Sequence, residues 1–423
     1  MDFKIDYKEC TYEEFVALEP IKHLPPKSPN RLLRSLAWGL SVSELKKTHF
    51  KYKKIGMERL GKNEPALILM NHSAFLDFQI AMHVFRSRKI NIVTGLGGCI
   101  CKERVMRHIG CIPTRKFTTD FALVKDMKYC IKTLKTSVLM YPEADYSYSG
   151  LPHTLPSSLG GLVKLLGAPL VVMETFGAFI NDPIYRKLKP RNTPVSAEVR
   201  YVLSPEEIKQ MSAEEIDAVI KKEFTFDGFR WQQENKLVID DPNRAKDLDK
   251  ILYKCPHCQS EGYMKGAGTK LTCHKCGKEW ELTELGFMKA ISGETEFDHI
   301  PNWFEWQREC VRQEVLDGKF LIETPVNLYG IVNTKAMYIL GKGNVRYDKN
   351  GIRLVAYDGK LDFYKSSISM YAIGADLQWP IIGDGMCFGD NKVTYFASPV
   401  DAAHLVVKAR LASEEIYKIL KKQ

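Results

Sequence analysis

The sequence predicts an α/β layer fold between about residues 51 and 247, and two observations carry that expectation. Short apolar runs recur between helical stretches, as buried strands do in such folds. Hydrophobic residues make up 45% of the 423, enough to build a full core and to argue against general disorder. The strands are expected at Ala66 to Met70, Ile90 to Thr94, Ser137 to Tyr141 and Pro169 to Glu174. Helices are expected at Phe78 to Phe85, Lys102 to Ile109, Asp120 to Leu134 and Leu159 to Leu166. In the third of these, Leu123, Met127, Cys130 and Ile131 fall on one side.

The remainder divides by composition, as a chain of this length usually does. Residues 1–50 read as a loose leader, over residues 1–30, followed by an amphipathic helix. The leader ends in the turn-rich run from Pro25 to Asn30, and Asn30 is placed to cap a helix reaching about Leu45. Leu32, Leu33, Leu36, Ala37 and Leu40 share a face of it, with Arg31 and Arg34 nearby and Trp38 at the flank. Such a stripe suits an anionic membrane surface or the body of the protein. Residues 248–290 form a cysteine-bearing module, and 291–423 a β-rich domain with a terminal helix. That domain opens with a helix from about Asn302 to Asp317, stopped by Gly318. Asn350-Gly351 and Asp390-Asn391 are hairpin signals. Ser398, Pro399 and Asp401 read as the start of the last helix. This domain reads as a structural cap or as a lipid- or partner-binding module.

Charge and cysteine usage narrow the surroundings. Lys and Arg total 61 against 51 Asp and Glu, a net charge of +10, which favours phosphate groups, acidic lipid surfaces, acidic carrier proteins or nucleic acid as partners without choosing among them. The first twenty residues are acidic and aromatic and lack the apolar core of a secretory signal. No apolar run is long enough to span a bilayer. A cytoplasmic, peripherally membrane-associated protein is therefore expected. Eleven cysteines, an odd number, fit a reducing compartment. Four of them form two knuckles, Cys255-Pro256-His257-Cys258 and Cys273-His274-Lys275-Cys276, separated by fourteen residues. Paired knuckles at this separation can hold Zn2+ in a closed thiolate tetrahedron, a structural and not a catalytic site. Contact of this basic ribbon with nucleic acid is the less favoured use. The other seven cysteines read as packing residues.

The chemistry-bearing residues begin at the end of the first strand, with Asn71-His72-Ser73-Ala74-Phe75-Leu76-Asp77. If the chain turns into a helix there, Asp77 meets His72 on one side, fixes its tautomer and leaves the other nitrogen basic. Three further segments follow in order. Gly110-Cys111-Ile112-Pro113-Thr114-Arg115 ends in a cation, Tyr141-Pro142-Glu143 opens a loop, and Gly167 to Val172 enters another strand. In order and spacing these resemble the four sequence blocks of the glycerolipid acyltransferases, the family that includes 1-acyl-glycerol-3-phosphate acyltransferase, over roughly residues 50 to 235.

The resemblance implies an acyltransferase-type mixed sheet flanked by helices and a single-step transfer from an acyl thioester to a hydroxyl of a lysophospholipid or glycerol phosphate. His72 would be the general base and Asp77 its orienting partner. Asn71, Arg115, Lys116 and Glu143 would organise the acceptor, Arg115 through a forked contact to phosphate. Glu143 would accept from a hydroxyl or orient a basic neighbour. The co-substrate would be acyl-CoA or acyl-carrier protein, which the basic segment from Lys102 to Lys116 could dock. The chain departs from the family pattern twice. Ser73 stands one position after the histidine instead of two, and Tyr146 replaces the third-block arginine. Those departures keep a rival reading alive, a non-catalytic zinc-ribbon protein on an acyltransferase scaffold that binds lipid or nucleic acid. A serine hydrolase lacks its Gly-x-Ser-x-Gly elbow.

Overall fold

The alternating apolar runs form a seven-stranded mixed sheet in the computed structural model, which describes residues 5–118, 120–187 and 189–422. Its strand order is Lys51–Ile55, Ser196–Leu203, Leu170–Phe176, Leu67–Met70, Ser137–Met140, Ile90–Gly95 and Cys111–Thr114. Leu170–Phe176 and Ser196–Leu203 pair antiparallel. The other neighbours pair parallel. Alternation along the central strand explains the layering. Leu67 and Leu69 belong to the core on one face, and Ile68 and Met70 to the core on the other. The helix Asp77–Val84 packs with the second of these cores, and Phe121–Tyr129 and Leu159–Leu166 with the first. Helix ends fall within one or two residues of expectation, although Cys130–Leu134 winds as a π turn.

Residues 248–290 include a four-stranded antiparallel sheet, ordered Met288–Ala290, Glu279–Leu282, Lys270–Cys273 and Met264–Ala267. Beyond it the helix Ile300–Leu316 ends just before Gly318, whose φ of 69° is left-handed. An antiparallel sheet follows, ordered Leu361–Ser366, Gly351–Ala356, Met337–Asp348, Leu321–Ile331, Thr394–Pro399, Gly383–Gly389 and Gly374–Trp379. Both hairpin signals sit at its turns. The cysteine module, this sheet and the helices against it share one hydrophobic core, which also takes in Phe15, Tyr148 and Phe179.

Three expectations are corrected. The leader is not loose throughout, since Tyr7–Glu9 pairs parallel with Met337 to Ile339 and adds an eighth strand to the C-terminal sheet. The last helix begins at His404, not Ser398. Ser398 and Pro399 instead end a strand, opposite Asn327 and Val326, so pairing across the sheet overrides a local capping pattern. The leucine stripe is also divided. Asn30 does cap the helix Arg31–Lys47, accepting from the amides of Leu32 and Leu33. Leu33 and Ala37 are half-buried, whereas Leu32, Leu36 and Leu40 are 82%, 61% and 48% exposed.

Candidate active site

The central strand Leu67–Met70 ends two residues before His72, and Asp77 is the first residue of the helix that follows. His72 Nδ1 lies 3.0 Å from Asp77 Oδ2. The same oxygen accepts the amides of Ser73 at 2.7 Å and Ala74 at 3.0 Å. A carboxylate with three donors can only accept, so Nδ1 carries the proton and Nε2 is the basic nitrogen. Asp77 is wholly buried, while 16% of the His72 side chain stays exposed, so the base reaches solvent and its orienting partner does not. Asn71, expected to bind substrate, has a different task. Its Oδ1 accepts the Thr175 amide at 2.8 Å and its Nδ2 donates to the Ser73 hydroxyl at 3.0 Å. It clips the motif to the neighbouring strand, leaving little capacity for a ligand.

The third block closes around the base. The Tyr141 and Tyr146 rings each lie 4.1 Å from the imidazole, at 22° and 40°. Tyr146 stands where the family pattern has arginine. A guanidinium there would repel an imidazolium, whereas an aromatic face attracts it. The substitution therefore removes a cation from the surroundings of His72 and places an aromatic face against its imidazole. Glu143 accepts the His72 amide and the His153 amide, each at 2.8 Å. Burial pushes its carboxyl up to about 8, with those two amides pulling it back. Its two carboxyl oxygens thus tie the backbone of His72 to that of His153. Ala144 occupies the pattern's glycine position and keeps the left-handed φ, 63°, at a cost of about 1 kcal/mol for a residue with a Cβ.

Arg115 and Lys116 are corrected most. Arg115, 7% exposed, gives its guanidinium to the carbonyls of Ile331, Val332, Asn391 and Lys392 and to the Thr394 hydroxyl. Every acceptor belongs to the C-terminal sheet or its turn. Those bonds satisfy the fork that a phosphate was expected to fill. Lys116 donates to Asp145 Oδ1 at 2.7 Å. Asp145 also meets Arg410 at 3.3 Å, the Tyr148 hydroxyl and the Ala375 amide. Arg410 continues to Glu414 at 2.8 Å, and Glu414 to Arg308 at 2.5 Å. An alternating line of buried charges thus joins the second and third blocks to the C-terminal helices, a feature that no local motif signals. Of the basic segment's residues, Arg107 donates to the carbonyls of Leu24 and Pro25.

The four knuckle cysteines do converge. Their sulfurs all lie within 4.8 Å of one another, with Cys255–Cys276 at 3.8 Å and Cys258–Cys273 at 3.7 Å. A tetrahedron with metal–sulfur bonds of ~2.3 Å has edges of about 3.8 Å, so the donor set fits a four-thiolate metal ion. His257 is more than half exposed and faces Glu296, outside the cluster.

Residues 51–173 match the family model described as Acyltransferase. No curated protein matches the chain. The crystal structure of the 1-acyl-sn-glycerophosphate (LPA) acyltransferase PlsC from Thermotoga maritima is similar at 14% identity and a TM-score of 0.33, over 45% of this chain and 79% of that one. The matched span contains His72, Asp77, Arg115 and Glu143, and over it the chain is similar to the family described as Acyltransferase.

Proposed function

We propose that this protein transfers a fatty acyl group from acyl-CoA or acyl-carrier protein to a hydroxyl of a glycerolipid acceptor, such as a lysophospholipid or glycerol phosphate. The observation that carries the reading is the His72–Asp77 pair, 3.0 Å apart at the mouth of a buried strand. His72 Nε2 takes the proton of the acceptor hydroxyl as its oxygen attacks the thioester carbonyl. Asp77 holds the imidazole and balances the imidazolium that forms, with the Tyr141 and Tyr146 rings against its faces. The tetrahedral intermediate then expels the thiolate, which takes the proton back from His72, and no acyl-enzyme is formed. The test is to incubate the full chain with acyl thioesters and a panel of lysolipids, with and without a phosphate, and to identify products by mass. An acylated product is expected. Because Arg115 and Lys116 are engaged by the protein, acceptors without a phosphate belong in the panel on equal terms. No product from any pair would reject the reaction and favour the non-catalytic scaffold.

The same reading places one structural zinc on Cys255, Cys258, Cys273 and Cys276. The metal would cross-link the ribbon and supply no chemistry to His72. Elemental analysis of protein purified without chelators should find one zinc per chain, and Cys273→Ser should lose it. The ribbon's Trp280 stacks edge-on against Trp303, 5.0 Å away, so loss of metal should also lower the melting temperature of the shared core. A metal-free protein of unchanged stability would reject this assignment.

Association with an anionic membrane surface is supported by the exposed Leu32, Leu36 and Leu40 and by the adjoining edge strand Lys51–Ile55, exposed throughout and carrying Lys51, Lys53 and Lys54. Among the described residues no helix is long and apolar enough to cross a membrane. Vesicles with acidic lipid should bind the protein more tightly than neutral ones, salt should weaken binding, and Leu36→Glu should reduce it. Sedimentation indifferent to lipid charge and to salt would count against the surface.

A further inference from the structure

The strand Leu170–Phe176 leads into a short helix, Ala178–Asn181, and its next residue is Asp182. No sequence block contains this residue, yet its carboxyl enters the site described above. Asp182 is 3% exposed and accepts the backbone amide of Phe75. Ser73 and Ala74 give their amides to Asp77. Three consecutive amides of the turn after His72 are thus divided between two buried carboxyls. The Oδ1 atoms of both Asp77 and Asp182 are buried and have no hydrogen-bond partner among the described residues. The charged or titratable groups facing Asp182 are Asp77, Arg191, Arg186 and Tyr146. Both arginines are also engaged by Asp241, Arg186 at 2.6 Å and Arg191 at 3.5 Å.

We propose that Asp182 is a positioning residue of this site, which holds the His72 turn through the Phe75 amide and backs the Asp77 carboxylate that orients the imidazole. Two buried carboxyls that feel each other resist being charged together, and keeping one proton between them removes the conflict. Burial first, then the Asp77 charge, push Asp182 up to about 7, against the pull of the Phe75 amide and the two guanidiniums. Asp182 touches no reacting atom and acts on His72 through its neighbours.

The inference rests on the acyl-transfer reading only for its kinetic arm, so it is tested twice on the full chain. In carbon-13 NMR of labelled aspartate, the carboxyl signal absent from Asp182→Asn should titrate near neutrality in the wild type. It should shift down by about one unit or more in Asp77→Asn, where the neighbouring charge is gone. In the transfer assay, Asp182→Ala should lower kcat by about tenfold or more with little change in KM. Asp182→Asn should recover most of the rate, since an amide can accept from Phe75 and donate towards Asp77. A carboxyl that titrates like an ordinary aspartate, or that ignores Asp77→Asn, would overturn the proposal. So would a wild-type kcat in Asp182→Ala, or equal losses in both variants with matching drops in melting temperature. If the wild type transfers no acyl group, the function fails while the titration still decides whether Asp182 backs Asp77.

Discussion

His72→Ala is expected to reduce acyl transfer by about 10²- to 10⁴-fold, the usual worth of a positioned general base, or roughly 3–5 kcal/mol of transition-state stabilisation. The loss should fall on kcat, because the imidazole is needed when the hydroxyl gives up its proton and not when the lipid binds. The fold should survive, since the imidazole is partly exposed and makes one side-chain hydrogen bond, to Asp77. Asp77→Asn should lose rate for a different reason. Its oxygen can still accept from Nδ1, but no charge then balances the imidazolium, and the helix Asp77–Val84 loses the acid in its first turn. The Ser73 and Ala74 amides would also exchange a charged acceptor for a neutral one, which weakens both bonds. Product formed by His72→Ala at the wild-type rate would remove the dyad from the mechanism.

What the sequence reveals of this site is what lies close along the chain. His72 and Asp77 are five residues apart, so the spacing allows their contact if the chain turns into a helix there, as it does at Asp77. The strands of the mixed sheet are legible for a similar reason, because buried parallel strands are short apolar runs with their own punctuation. The partners of Arg115 lie 216 to 279 positions away. Nothing in Pro113-Thr114-Arg115 distinguishes an arginine that meets a phosphate from one that meets four carbonyls, since both need the same planar fork. The engagement of Lys116 follows likewise from Asp145, whose further partners include Arg410 and Ala375 of the C-terminal domain. Ser398 and Pro399 show the opposite failure, a good local cap overridden by pairing with Leu321–Ile331. Tyr146 was legible as a departure from the pattern, but its stacking on the base is a fact of three dimensions. Asp182 had no local signal, because its importance comes from where the neighbouring strand ends.

Arg410→Ala is expected to destabilise the protein by about 3–5 kcal/mol, the usual cost of breaking a buried ion pair from one side. Arg410 is fully buried and stands between Asp145 at 3.3 Å and Glu414 at 2.8 Å. Its removal leaves Asp145 with Lys116 and Glu414 with Arg308, so each acid keeps one cation where it had two. Most of the loss therefore measures desolvated charge left without its full compensation, not the net worth of the original pair. A double-mutant cycle with Asp145→Ala separates the two, since removing both partners should cost less than the sum of the single losses. The pH dependence gives an independent check. Burial opposes ionisation of Asp145, yet Lys116 and Arg410 hold its carboxyl down to about 2. A folded pKa below the unfolded one means stabilisation that is complete above about pH 4 and lost as pH falls towards 2. Without Arg410 the folded value rises towards the ordinary one, so chemical denaturation of the variant should show a shallower loss between pH 4 and 2 than the wild type. Equal acid slopes would mean that Lys116 alone governs Asp145.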